Sequence, residues 1–181
     1  MITRYSILRW LVAALAISWG TSALADGHDQ IYYVQHSFYA YKNKFVTANY
    51  HAGTLIPINT RAKITDMGSR KMEIELPDND NMEVKIENIE KYTHKNMEEI
   101  KDRMFGKSKV DLSKFSREAQ DAIKKGQIRV GMTKEQVLLA YGYPPVHVTP
   151  STDANQWTYW KNRWNKMVLD FQNNKLTGIR D

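Results

Sequence analysis

Apolar and charged residues alternate twice in the first half of the chain. Met72, Ile74 and Leu76 interleave with Lys71, Glu73 and Glu75, and Met82, Val84 and Ile86 interleave with Glu83, Lys85 and Glu87. A period of two sets each apolar group on one face of a strand and the charges on the other. Pro77 to Asn81 (PDNDN) supplies turn chemistry between them. The pattern predicts an antiparallel meander with one buried and one charged face. Ala62 to Met67 predicts a preceding strand that stops at Gly68-Ser69, and Gly53 to Pro57 a turn-like entry to it. Residues 31–50 carry Tyr32, Tyr33, Phe38, Tyr39, Tyr41, Phe45 and Tyr50, a ring density that favours strands. These rings fill a small β core or, on a competing reading, line a groove for peptide or glycan. Length and strand spacing over 26–95 are those of a small SH3-like barrel.

The spacing then changes to that of helices. Met97, Ile100 and Met104 fall on one helical face from Asn96 onward, Glu99 and Arg103 form an i,i+4 pair, and Gly106 is placed as a stop. Residues 96–110 thus read as a linker helix between two modules. Phe115, Ala119, Ala122 and Ile123 line a second helix from Ser113 to Lys125, ended by Gly126. A third opens on the capping box Thr133-Lys134-Glu135-Gln136, with Met132 and Val137 as its hydrophobic staple. Val137, Leu138 and Tyr141 form its expected buried face, and Gly142, Pro144 and Pro145 stop it. Val146 and Val148 predict a short strand, Trp157 to Trp160 a second, and Met167, Leu169 and Phe171 a third. Asn173-Asn174 turns the chain into a returning strand, Lys175 to Arg180. The fold class is α+β.

Gly131-Met132-Thr133, Gly142-Tyr143-Pro144, Trp157-Thr158-Tyr159 and Phe171-Gln172-Asn173-Asn174 occur in the order and spacing of the SmpA/OmlA (BamE-like) domain family. Residues 128–181 resemble that family, and residues 111–181 do if the preceding helix is its first. The resemblance implies two helices packed on an antiparallel three-stranded sheet. It also implies a non-catalytic role in protein–protein contact at the bacterial envelope, tied to outer-membrane assembly, with anionic phospholipid as a further partner. The β module over 26–95 is absent from the minimal family member.

The N-terminus bears on location. Residues 1–25 combine Arg4, an apolar run from Trp10 to Trp19, and Ala23-Leu24-Ala25, the pattern of a secretory signal cleaved before Asp26, with an uncleaved membrane anchor as the competing reading. The chain has no cysteine, which excludes lipid attachment at cysteine, disulfides, cysteine-ligated metals and a cysteine nucleophile. A small disulfide-free exported domain points to the periplasm. Formal charge is +6, and removing residues 1–25 leaves 24 basic and 20 acidic groups. That excess is too mild to imply nucleic acid.

Little in the sequence speaks for chemistry. No two of His28, His36, His51, His94 and His147 stand at i,i+2 or i,i+4, so no local metal-ligand spacing exists. Nucleophile, phosphate-loop and dinucleotide motifs are lacking, and no cofactor is expected. Trp157 and Tyr159 alternate to one sheet face and Trp160 to the other. Trp160, Arg163 and Trp164 are therefore the leading partner-contact residues, since Trp and Arg dominate interface energetics. The competing reading packs them against the N-terminal module. Residues 108–134 hold seven basic and three acidic groups, and Lys124 and Lys125 join the partner-binding candidates there. The favoured function is a non-catalytic module that binds an envelope protein. Peptidoglycan binding through the SH3-like module is the alternative, and a small hydrolase with an unrecognised site a third reading.

Overall fold

The structure is a computed structural model in which residues 30–181 are described; the expected signal, residues 1–25, lies outside them. The described chain is mixed α+β, with four helices, a curled six-stranded sheet, a three-stranded antiparallel sheet and a two-stranded pair.

The meander forms as the alternation predicts. β5 (Arg61–Met67), β6 (Lys71–Leu76) and β7 (Met82–Glu87) pair antiparallel in sequence. Met72, Ile74, Leu76, Val84 and Ile86 are at most 1% exposed, while Lys85 pairs with Glu73 at 2.8 Å on the outer face. β1 (Ile31–Val34) adds beside β5, and β3 (Lys44–Val46) pairs with β7 in parallel, so the module is not purely antiparallel. The stretch expected as a turn at Gly53 to Pro57 instead contains a strand, β4 (Thr54–Ile56), paired with β2 (Phe38–Ala40). Three residues are too few for alternation to show, but Ile56 buries completely in the same core as Phe38.

After the short helix α1 (Glu90–Thr93), α2 (Met97–Met104) starts at a capping box. Asn96 accepts from the Glu99 amide, and Glu99 accepts from the Asn96 amide. α2 does more than connect: Met97, Ile100 and Met104 bury in the first core. Gly106 does not cap it. The chain leaves the helix extended at Phe105, and β8 (Phe105–Gly106) pairs with β1.

The second core is the layer of two helices on three strands. α3 (Arg117–Lys124) begins later than expected. Residues 113–116 form a local turn, with Ser113 N–H donating to the Asp111 carboxylate and Phe115 N–H to the Leu112 carbonyl, before Ser116 caps the helix. α4 (Lys134–Tyr141) carries the full capping box at Thr133 and Gln136. Its deepest residues are Val137 and Ala140. No strand forms at Val146 and Val148. The amides of Val148 and Thr149 both turn back to the Pro145 carbonyl, and the Val146 amide is spent on the Tyr92 carbonyl. β10 (Lys166–Gln172) is central, flanked by β9 (Gln156–Trp160) and β11 (Lys175–Arg180), and Asn173 and Asn174 adopt positive φ at the turn. Trp157, Tyr159, Leu169 and Leu176 bury under the helices with Ile123 and Val137.

Candidate functional site

Two places merit attention: the β9–β10 hairpin tip and the seam between the two cores.

At the tip, the alternation holds. Trp157 and Tyr159 are buried and Trp160 turns to the opposite face, half-buried. Lys166 Nζ lies 4.6 Å from the Trp160 ring centre, and His147 stacks on the same ring at 6.4 Å. Beyond, Arg163 sits 5.1 Å from the Trp164 ring, and Trp164 is 79% exposed. The Asn162 side chain accepts from the amides of Trp164 and Asn165 and so shapes the loop that presents the ring. The structure brings Trp160, Arg163 and Trp164 onto one hairpin. Lys124 and Lys125 stand exposed at the end of α3, sharing no hydrogen bond, ion pair or ring contact with that hairpin.

The seam was not anticipated from sequence. Ser37 ties three segments together: its amide donates to the Leu139 carbonyl, and its hydroxyl donates to the Ile123 carbonyl and accepts from Ile58 N–H. The Asn49 amide nitrogen donates to the carbonyls of Tyr141 and Tyr143, 2.9 Å each. His51 stacks on Tyr141 at 3.8 Å and meets the Tyr141 carbonyl at 3.1 Å. Gly142 completes the joint at φ 72°, where an added Cβ would lie 2.8 Å from His36 Nδ1. Only glycine fits there.

The seam leaves polar atoms short. His36 Nε2, Asn49 Oδ1 and His51 Nδ1 are buried without a protein partner. Burial, the largest influence on each, lowers the pKa of His36 and His51 to about 4, so both rings are neutral at pH 7. The signal was present as polar interruptions, His36-Ser37 and Asn49-Tyr50-His51, inside an aromatic segment, but nothing marked their partners across 90 residues.

No family model, curated protein or solved structure matches this chain.

Beside the seam, a half-open cavity of about 30 Å³ lies between the modules. Phe45, Ile100, Met104 and Pro144 give apolar wall, and Arg103 and Tyr143 also line it. The Arg103 guanidinium is half-buried with its Cζ 4.1 Å from the centre of the Tyr143 ring. Desolvation lowers its pKa, and Tyr143 and then the Glu99 carboxylate oppose this. Glu99 itself is engaged by Lys95 and the Asn96 amide. Among the described residues, no group of three or more His, Asp or Glu side chains could hold a metal ion.

Proposed function

We propose that this protein is a non-catalytic interaction module of the bacterial envelope, exported to the periplasm, whose β9–β10 hairpin docks on a partner protein. The observation that carries the reading is Trp164, 79% exposed at a hairpin tip and flanked by Arg163. An exposed indole backed by a guanidinium is the usual composition of a binding hot spot. The likeness of residues 111–181 to the SmpA/OmlA pattern supports the same role, and the BamE-like and SH3-like assignments belong to this proposal. Residues 160–169 contain three basic groups, Lys161, Arg163 and Lys166, and no acid. Among the described residues, only Lys161 of these is ion-paired, to Asp181 at 2.5 Å. The complementary partner surface is therefore acidic.

The test is photo-crosslinking in intact cells from a probe at position 164, read by mass spectrometry. A discrete envelope protein should be captured, and Arg163→Ala should reduce the yield. Trp164→Ala should leave the melting temperature nearly unchanged, because the ring buries little in the monomer. Sedimentation of the protein with anionic vesicles or with insoluble peptidoglycan, in place of protein capture, would overturn the protein-partner reading.

A further inference from the structure

We propose that the cavity between the two modules is a binding site for a short aliphatic carboxylate, held by Arg103 in its wall. The apolar wall comes from both sides: Phe45 of β3, Ile100 and Met104 of α2, and Pro144 after α4. A single water needs about 10–15 Å³, and a cavity of about 30 Å³ takes only a small apolar end.

Polarity fixes which way such a ligand lies. His36 Nδ1 is 3.2 Å from the Ser37 carbonyl and carries the proton, so Nε2 is an acceptor. Asn49 gives its amide hydrogens to two carbonyls, so Oδ1 is also an acceptor. A carboxylate pushed deep against that wall would gain no donor from His36 Nε2 or Asn49 Oδ1. Both atoms are already shut off from solvent, so an apolar group placed against that wall costs them no hydrogen bond. The charged end belongs at Arg103. Its guanidinium has five N–H donors, and among the described residues neither a hydrogen bond nor an ion pair to a protein acceptor engages it; its contacts are the Tyr143 ring and the field of Glu99. A half-buried, ring-stacked guanidinium is suited to a carboxylate fork. An ammonium would meet the same charge, and a neutral amide would gain a single oxygen contact.

Two sources share this chemistry: a free short-chain acid, and the C-terminus of a peptide ending in a small apolar residue. The experiment is an NMR titration of the full chain, following the methyl signals of Ile100 and Met104. Sodium propionate should shift them saturably, and propionamide should bind roughly tenfold more weakly or worse. Arg103→Met, which keeps the stem on Tyr143, should lower propionate affinity by roughly tenfold, and Arg103→Lys should restore part of it. Acetyl-Ala-Ala with a free carboxyl, compared with its amide, separates the sources. Tighter binding of the peptide acid than of propionate assigns a chain terminus; otherwise the free acid is the ligand. Equal binding of propionate and propionamide, or no saturable shift with propionate, overturns the proposal. The wild-type comparison decides this even if the arginine variants fold poorly.

Discussion

The two seam histidines set an acid limit on the protein. His36 and His51 titrate near 6.5 in an unfolded chain but at about 4 in the fold, where burial disfavours the imidazolium. Between those values the unfolded state binds more protons, so stability rises with pH there. The contribution is fully present above about pH 6.5 and is lost as pH falls through 6.5 to about 4. Each histidine accounts for up to roughly 3 kcal/mol of that loss. The other titratable groups against them are Tyr39, Tyr141, Tyr143, Tyr159 and Arg103. Burial pushes the phenols of Tyr39, Tyr141 and Tyr159 up, Tyr141 to about 12, so neither these three nor Arg103 changes charge in this window. Urea titrations at pH 7 and pH 4.5 should show a marked drop for the wild type. His51→Phe, which keeps a ring on Tyr141, should shrink the drop by about half; an unchanged drop would show that His51 does not carry it. None of this was legible in the sequence. A histidine's cost depends on what surrounds it, and the surroundings of His36 and His51 come from the opposite module.

At the scale of elements the sequence was far more informative, because helix caps and strand alternation are local. The Thr133 capping box is present in full: Thr133 Oγ1 accepts from the Gln136 amide at 3.2 Å, and Gln136 Oε1 accepts from the Thr133 amide at 2.8 Å. Thr133→Ala removes the first of these and should cost about 1 kcal/mol. The whole chain is the proper subject for that measurement, since Ile58, from the N-terminal half, buries in the same core as α4. An unshifted denaturant midpoint would mean the cap is energetically idle. Elements failed to show where they were short or spent their hydrogen bonds across the chain. β4 and β8 hold three and two residues, below the length at which a period of two can be seen. The valines at 146 and 148 have strand propensity, but the Val146 amide is committed to Tyr92.

The whole molecule carries the consequence of the seam: the two cores are distinct in composition yet should not unfold separately. Ser37 joins β2 to both α3 and α4, Ile58 reaches into the second core, and Asn59 exchanges two hydrogen bonds with Val110, at 3.0 and 2.7 Å. Separation would expose this buried surface together with its polar groups, a cost set against the roughly 5–15 kcal/mol that stabilise a folded protein. The described tryptophans, at 157, 160 and 164, all lie in the C-terminal hairpin, so their fluorescence reports that hairpin. Ile74 is completely buried in the first core. Ile74→Val should cost about 1 kcal/mol. In a chain beginning at Asp26, it should lower the urea midpoint of tryptophan fluorescence by about 0.5 M, given a slope of roughly 2 kcal/mol per molar. The same shift should appear in far-ultraviolet circular dichroism, which reports both sheets. A fluorescence midpoint that stays fixed while the dichroism moves would mean the modules unfold independently, and the seam hydrogen bonds would then be contacts without cooperative weight.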